Sequence, residues 1–510
     1  MEADNHKLLN IFSKILCLAT AFYLFSYVTA DPDLWGHLKF GADHWHTGYM
    51  ANEDPYSFTA HGHRWINHEW LAELLFYLTY RFFGDPGLLF GKLAIGLSVV
   101  WILLKMCDMR RHHPLSLAFG MILAIYAARM GFMIRPQLFS FLFFAAFLYL
   151  LHLYFFKDKN RLFFLPLLMA AWVNLHGGFI MGWALIIGVT GWKTLERIAC
   201  RKPVPQLGQL WVWLMVVSIA TLANPYGYRL LVFLCQTLSV PRAITEWAPI
   251  EIWSLSHVRF KVMAGLFLAL LAFNFRRVEG WEVAAIGAIL FAAFRYQRHT
   301  PFFAMAAAPF VVHWLTETAG DVKNRLHQAR LGRTANITIA VAFLLLTGYQ
   351  LYSGLYMYVA AQGRIIVNPA EYPVGAVRFL KGNNVKGNLL LPFNWGEYAI
   401  WHLYPLCRVS IDGRFRTAYP EAVIKDHFIH QDDTGGWKWL METYPADIIL
   451  SRQSRFFNDL IGKTREWVYV YSDRTAIVFL RRNEKNEAIL KRFREGRLER
   501  PKETVSIYFP

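Results

Sequence analysis

Two aspartates separated by one proline follow the first long apolar segment of the chain. The segment 11–30 runs directly into Asp31-Pro32-Asp33. Pro32 fixes the backbone between the aspartates and ends a helix, and residues i and i+2 of an extended stretch lie on the same side. A carboxylate in such a position can act as a general base or hold a hydroxyl group. The alternative interpretation is a helix end followed by solvated loop charges.

Histidines are concentrated in the residues that follow. Residues 31–85 contain six of the eighteen histidines of the chain. Imidazole and carboxylate groups are common metal ligands, so His61, His63, His68 and Glu69 are a candidate set for a divalent cation. Their spacing matches no recognised zinc motif, and a histidine-rich loop that binds nothing is the alternative.

A second group of candidates consists of basic residues near the ends of later apolar segments. Arginine is suited to phosphate because its planar guanidinium presents several N–H donors to the phosphate oxygens. The group therefore predicts an anionic ligand. Its members are Arg129, Arg135, His176, Arg295, Arg298 and His299.

The composition indicates that membrane helices position these candidates. Of the 510 residues, 55% are hydrophobic and 17% are charged, whereas soluble domains have about 45–50% and about 25%. The five cysteines have no paired spacing, so they suggest neither a disulfide framework nor a cysteine zinc site. A spanning helix needs roughly 20 apolar residues. We predict a polytopic α-helical membrane protein with about eleven transmembrane helices, near 11–30, 87–107, 114–130, 137–156, 162–177, 179–194, 208–223, 261–275, 281–294, 301–316 and 335–357.

Basic residues in the short connections predict the orientation of these helices. With Lys7 and Lys14 in the cytoplasm, alternate connections carry clusters such as Arg110-Arg111 and Arg276-Arg277 on the same side. Topology therefore explains most of the net charge of +17, and nucleic acid is not an expected partner. Residues 31–85, with eight acidic and three basic residues, then form an outer loop. The six basic candidates lie at the outer ends of their segments, where the orientation rule predicts few basic residues. There they either extend to lipid phosphates or bind an anion.

Two stretches of this outer loop are predicted to be surface helices. Residues 68–83 have a helical pattern, but a spanning helix there would turn every later basic cluster outward. We therefore expect this stretch to lie on the membrane surface. Residues 34–46 are a second candidate for such a helix.

The polar residues after the last apolar segment predict a soluble domain. Strand-like and helix-like runs alternate there, and Cys407, the only cysteine in this part, cannot form a disulfide within it. We divide the chain into a transmembrane module, 1–357, with the outer loop 31–85, and an extracytoplasmic α/β domain, 358–510. The strand-like runs are 387–391, 406–411, 446–451, 466–471 and 474–480, and the helix-like runs are 372–381 and 395–404.

This layout resembles the GT-C superfamily of integral-membrane glycosyltransferases, which includes the protein O-mannosyltransferases and the lipid A aminoarabinose transferases. The family has a carboxylate just after the first span and juxtamembrane helices in a large first outer loop. More specifically, the chain resembles a bacterial subgroup of GT-C-like proteins. The matching pieces are DPDLWGHL, DPYSFTAHG, NHEWLAELL, NLHGGF, NPYGYRLL, RHTPFFA and WGEYAIWHLYP followed by IDGR.

The resemblance implies a hexosyl- or pentosyltransferase of the bacterial inner membrane, active in cell-envelope polysaccharide biosynthesis. It implies a polyprenyl-phosphate-linked sugar donor, inversion at the anomeric carbon, and a glycan, lipid or protein acceptor. It also implies that Asp33 or Asp31 is the general base; which of the two acts is open, because the Asp-Pro-Asp order departs from the paired acidic motif of the mannosyltransferases. The six basic candidates would bind the leaving lipid phosphate. The candidates for positioning the acceptor are His68, Glu69 and His37.

Some features leave alternatives open at this stage. The segment Asp412-Gly413-Arg414 is either a tight turn in the C-terminal domain or a contact over the active site. A divalent metal is the only cofactor for which there are candidate ligands. A lipid or polysaccharide transporter, or flippase, and a non-catalytic glycolipid-binding assembly subunit are the competing functions. No internal repeat of the kind found in transporters is visible, and no P-loop or dinucleotide fingerprint indicates a soluble enzyme.

Overall fold

The computed structural model describes residues 2–200, 207–238, 244–325, 333–430, 434–453, 464–501 and 507–510. The chain divides into two compact units. Unit 1 comprises Met1–Tyr27 and Leu89–Gly363, and unit 2 comprises Val28–Leu88 and Arg364–Pro510. The loop 31–85 thus folds with the C-terminal residues, whereas the sequence division groups it with the transmembrane module.

Helices account for most of the described residues. Every apolar segment predicted to span the membrane overlaps a helix. The helices are α1 (Glu2–Phe25), α2 (Leu34–Thr47), α3 (Trp70–Cys107), α4 (Pro114–Ala128), α5 (Gln137–Lys157), α6 (Phe164–Trp172), α7 (Phe179–Cys200), α8 (Leu207–Ala220), α9 (Tyr228–Leu238), α10 (Val258–Asn274), α11 (Gly280–Arg295), α12 (Thr300–Arg325), α13 (Arg333–Ala360), α14 (Val374–Gly382), α15 (Gly396–Leu403), α16 (Glu421–His430), α17 (Thr434–Thr443) and α18 (Glu484–Arg494).

Five described helical segments are long and apolar enough to cross a membrane, which makes the chain a multi-pass membrane protein. The predicted count of about eleven is not confirmed. Helices α6, α8, α10 and α11 have 9, 14, 17 and 16 residues, which is short of the roughly 20 that a span requires. The five segments are His6–Phe25, Trp70–Cys107, Pro114–Gly131, Gln137–Lys157 and Thr334–Ala360.

Close helix packing forms the interior of unit 1. Helix α1 packs against α4 and α13, and α4 packs against α12. Thr20 donates a hydrogen bond to Gln350 between α1 and α13 at 2.9 Å. Arg110, which follows the end of α3, donates to the buried Glu282 of α11 at 2.7 Å. This pairing is needed because an uncompensated charge inside a bundle is costly.

Helix α3 contains a break between the predicted surface helix and the predicted second span. At Gly84 the backbone has φ 62° and ψ −158°, and Pro86 follows two residues later. A residue with a Cβ rarely adopts this φ, and Pro86 has no N–H to donate within the helix. The sequence therefore interrupts the helix at the point where its two predicted parts meet.

Unit 2 is built on a mixed five-stranded sheet with the strand order β3-β2-β4-β6-β5. Strand β2 is parallel to β3 and β4, whereas β6 is antiparallel to β4 and β5. All five predicted strand-like runs are confirmed, as are the two helix-like runs, which correspond to α14 and α15. The strands are β1 (Ile366–Val367), β2 (Gly387–Leu390), β3 (Cys407–Val409), β4 (Ile448–Arg452), β5 (Trp467–Ser472), β6 (Ala476–Arg481) and β7 (Ile507–Tyr508).

The loop 31–85 joins this sheet by backbone hydrogen bonds. Ser57 forms a parallel bridge with Val409 of β3, and the N–H of Phe58 donates to the carbonyl of Val409 at 3.0 Å. Thr29 forms a second bridge with Ile366 of β1, which pairs with β7. The first outer loop and the C-terminal residues are thus parts of one folded unit.

Candidate active site

The Asp-Pro-Asp segment forms the turn that starts helix α2. Asp31 is buried, and its Oδ1 accepts the backbone N–H of Asp33 at 3.1 Å. Asp33 stands at the N-cap position but makes no side-chain capping bond, and it is partly exposed. The two aspartates therefore differ, because Asp31 stabilises the turn while Asp33 makes no capping hydrogen bond with its side chain.

A second carboxyl group, Glu397, faces Asp33. It belongs to the first turn of α15 and is 4% exposed. Its Oε2 has no hydrogen-bond partner among the described residues. Burial raises the pKa of Glu397 well above its ordinary value, and the charges of Asp33 and Asp412 add to this, whereas Arg414 opposes it. The structure thus places a buried carboxyl group with a raised pKa beside Asp33.

Two glycines make this approach possible. A Cβ on Gly413 would stand 2.5 Å from Oε1 of Glu397 and 2.7 Å from Oδ1 of Asp33. A Cβ on Gly36, one helical turn after Asp33, would overlap Oε2 of Glu397. Since real Cβ atoms do not come this close to other heavy atoms, any larger residue at either position would displace the carboxyl group.

The charged residues around Gly413 form a closed network. Arg414 donates from Nε and Nη2 to Asp412 at 2.9 and 2.7 Å, and from Nη1 to Asp54 at 2.6 Å. Tyr419 also donates to Asp412, at 2.6 Å. Asp54 in turn accepts the backbone N–H of Tyr56 at 3.0 Å. These charges are buried but paired, as a low-dielectric interior requires.

The guanidinium of Arg414 is also enclosed by aromatic rings, whose centroids lie 4.8 to 5.6 Å from its Cζ. Such contacts favour a cation. The segment Asp412-Gly413-Arg414 is therefore a turn, and its Gly413 lies next to the carboxylate of Asp33; a role over an active site stays a prediction. The rings belong to Phe40, Tyr56, Trp65 and Tyr419.

A histidine and two glutamates form a second group beside Asp33. One ligand atom from each of His37, Glu69 and Glu73 lies within 4.8 Å of the others. His37 Nδ1 is 3.4 Å from Glu73 Oε1, and Asn67 donates to Glu73 Oε2 at 2.5 Å. Burial lowers the pKa of His37, but Glu73, Glu69 and Asp33 together raise it above its ordinary value. One imidazole and two carboxylates are suitable ligands for zinc or a similar divalent cation.

The four residues predicted from the sequence to bind a metal ion lie in different surroundings. Glu69 is its one member in the group just described. His68 Nε2 lies 3.7 Å from Glu69 Oε1, whereas His63 Nδ1 lies 3.1 Å from the carbonyl oxygen of Ala418. His61 is exposed. The histidine that joins the glutamates is thus His37, which the sequence analysis assigned to the acceptor.

Five of the six basic candidates lie at or near two short helical turns of unit 1. These turns are Arg129–Gly131 and Gln297–His299, and a third turn, Thr245–Trp247, packs on the second of them. Arg135 donates to Glu246 at 2.5 Å, so its charge is already balanced. Arg298 lies over the ring of Trp247 at 4.5 Å. Nδ1 of His299 has no partner among the described residues.

The other three basic candidates, Arg129, Arg295 and His176, differ in their accessibility to solvent. Arg129 and Arg295 are exposed, and the guanidinium of Arg295 lies 5.0 Å from the ring centroid of Tyr296. His176 is instead buried, and its Nδ1 is 2.7 Å from Oγ of Ser140. Within unit 1, Arg129 and Arg295 are therefore the candidates whose charges are open to an added anion.

The sequence analysis did not assign a role to Glu397 or to Glu73. Glu397 stood within the quoted piece WGEYAIWHLYP, directly after Gly396, and nothing in the local pattern distinguished it from a surface acid. Glu73 lies four residues after Glu69, a spacing that places both on one helix face. That spacing, together with the buried pattern of α2, was the available signal for a shared site.

Comparison with known proteins identifies the fold. The crystal structure of ArnT from Cupriavidus metallidurans in the apo state matches with a TM-score of 0.50 and 12% identity, over 92% of this chain and 97% of ArnT. The same protein bound to undecaprenyl phosphate matches at 0.45 and 11%, over 93% and 98%. Arabinofuranosyltransferase AftD from Mycobacteria matches at 0.48 and 12%, over 94% of this chain and 40% of AftD.

No family model matches the sequence, and no curated protein matches it. The fold is therefore the information that the comparisons provide. The chain therefore has the fold of ArnT, in agreement with the family resemblance of its sequence motifs.

Proposed function

We propose that the chain is a membrane glycosyltransferase that moves a sugar from a polyprenyl-phosphate-linked donor to an acceptor outside the cytoplasm. The observation that carries the proposal is the partly exposed carboxylate of Asp33, placed after the first helix of a GT-C fold and beside a buried carboxyl group. The N-terminus would lie in the cytoplasm and unit 2 outside it, in agreement with the distribution of basic residues.

Asp33 would be the general base in this reaction, and Asp31 would hold the turn. The acceptor hydroxyl gives its proton to Asp33 as its oxygen attacks the anomeric carbon. The bond between that carbon and the phosphate oxygen breaks on the opposite face, which inverts the configuration, and the electron pair leaves with the lipid phosphate. Asp31 is less suited to this role because it is 3% exposed and already accepts the N–H of Asp33.

The other candidates fit supporting roles. Exposed arginines of unit 1, Arg129 and Arg295, would bind the lipid phosphate and stabilise its developing charge. His68, which is partly exposed, would contact the acceptor. His37, Glu69 and Glu73 would hold a divalent cation if one is required, and such an ion would supply further positive charge near the reacting oxygens.

The test combines cells with purified protein. Mass spectrometry of glycolipids and glycoproteins from cells with and without the gene identifies the product. The wild-type chain and the Asp33→Asn variant are then compared for its formation in lipid nanodiscs. We expect Asp33→Asn to lower the rate of sugar transfer at least about 100-fold, because a general base contributes about 10²–10⁴-fold to a reaction rate.

A matched control is Asp158→Asn. Asp158 is an exposed residue in a turn with φ 49°, a conformation that asparagine adopts readily, so transfer should be unchanged. A chain that moves lipid equally well with either substitution, and forms no glycosylated product, would be a transporter. Unchanged transfer with Asp33→Asn would exclude Asp33 as the base.

A further inference from the structure

Glu397 is a buried acid that the proposed reaction does not use. The other buried acids near it are fully paired: Asp412 accepts from Arg414 and Tyr419, and Asp54 accepts from Arg414 and from the backbone of Tyr56. Oε2 of Glu397, by contrast, has no partner among the described residues. Leaving a buried polar group unpaired costs about 1–3 kcal/mol, so stability alone does not account for a glutamate here.

The surroundings fix the position of this carboxyl group. Gly36 lies against its Oε2, and Gly413 lies against its Oε1 and against Oδ1 of Asp33. The charged groups that face it are Asp33 at the start of α2, Glu73 on α3, and Asp412 and Arg414 in the turn after β3. Burial, together with the three acidic groups among these four, raises the pKa of Glu397 above its ordinary value.

We propose that Glu397 is a positioning residue that keeps a proton and donates it in a hydrogen bond to Asp33, which holds the Asp33 carboxylate in place for the acceptor. This inference rests on the proposed function, because it assigns the base to Asp33. Two neighbouring carboxyl groups with one proton between them titrate as a pair. In this arrangement Glu397 carries the proton and Asp33 accepts the hydrogen bond.

The proton balance of a reaction cycle follows. Asp33 takes the proton of the acceptor hydroxyl, so both carboxyl groups are then protonated. One proton must pass to water before the next acceptor binds. At high pH, Glu397 loses its own proton, and two adjacent anions replace the hydrogen-bonded pair. We therefore expect sugar transfer to decline on the alkaline side of its pH profile.

Substitutions of Glu397 separate positioning from simple packing. Glutamine keeps an N–H donor toward Asp33 but cannot titrate, and alanine removes the donor. Glu397→Ala should lower transfer by about 100-fold, the loss expected when a reacting group is misplaced. Glu397→Gln should lose far less and should lack the alkaline decline. An exposed acid of unit 2, Glu442→Gln, is the matched control and should follow the wild type at every pH.

Infrared spectroscopy tests the proton directly and does not depend on activity. The full chain in lipid nanodiscs should show, at neutral pH, the carbonyl stretch of a protonated carboxylic acid. The difference spectrum between the wild type and Glu397→Gln should contain this band, and the difference spectrum between the wild type and Glu442→Gln should not. A difference spectrum for Glu397→Gln without this band would overturn the inference.

The two assays distinguish the failure of this inference from the failure of the proposed function. If the band is present but no variant or wild-type chain transfers sugar, the proposed function fails and the proton on Glu397 stands. If transfer is measured but Glu397→Gln and Glu397→Ala lose it equally, with unchanged pH profiles, Glu397 has only a packing role and the inference is wrong.

Discussion

Replacing Arg414 with methionine should destabilise unit 2 strongly. Methionine fills most of the space among the aromatic rings but provides no charge, so Asp54 and Asp412 would face each other as buried anions without their shared cation. Both acids are at most 1% exposed. Removing one partner of a buried ion pair costs about 3–5 kcal/mol. We expect the free energy of opening unit 2 to fall by that amount.

Amide hydrogen exchange measures this change where it occurs. The N–H of Phe58 donates to the carbonyl of Val409 at 3.0 Å, and that of Ile66 donates to Thr417 at 3.1 Å. Exchange of these amides requires opening of the contacts around Arg414. A loss of 3–5 kcal/mol corresponds to exchange that is faster by about two to three and a half orders of magnitude.

A neighbouring arginine provides the control for this measurement. Arg416 pairs with the exposed Glu421 at 2.7 Å, and exposed ion pairs contribute about 0–1 kcal/mol. Arg416→Met should therefore accelerate exchange less than about tenfold. Combining Arg414→Met with Asp54→Asn and Asp412→Asn should restore at least one order of magnitude, because no buried anions remain. Equal effects of the Arg414 and Arg416 substitutions would refute the reasoning.

Three further substitutions test other contacts. Gly36→Ala would place a methyl group on the carboxyl of Glu397 and should cost about 1–3 kcal/mol of stability; adding Glu397→Ala should recover part of this in thermal unfolding, and strictly additive losses would contradict the packing. Arg129→Ala should weaken binding of labelled polyprenyl phosphate to the full chain about tenfold, or 1.4 kcal/mol, and unchanged binding would remove Arg129 from the phosphate site. Zinc at about 100 times its dissociation constant should stabilise the wild-type chain by about 2.7 kcal/mol; His37→Ala should abolish this shift, and an equal shift in both chains would exclude the group formed by His37 and the glutamates.

Local patterns in the sequence were sufficient to place most of the helices and strands. Apolar runs predicted helices at every segment, because burying apolar side chains in a bilayer or bundle requires hydrogen bonds within the segment. Alternating runs predicted all five strands of the main sheet. The predicted lengths of the membrane spans were less accurate, since α6 and α8 have fewer than the roughly 20 residues that a spanning helix needs.

Contacts between distant residues could not be obtained in the same way. Glu397 lies 364 positions after Asp33, and Arg414 lies 360 positions after its partner Asp54. Periodicity describes only the surroundings of each residue along its own helix or strand. The sequence therefore identified the aspartate pair and the basic residues as candidates, but it did not identify the acid that faces Asp33.

Unit 2 consists of two segments that lie far apart in the sequence, and this affects how it is formed during biosynthesis. Residues Val28–Leu88 leave the ribosome well before Arg364–Pro510. At about 5–20 residues per second, the first segment waits roughly 15–55 s for its partner. During that interval, aromatic rings of the first segment such as that of Tyr56 have no Arg414 to contact, and Ser57 has no strand β3 with which to form its bridge. Completion of the fold around Asp33 is thus a late event in the synthesis of each molecule, and a chain truncated after α13 would not attain it.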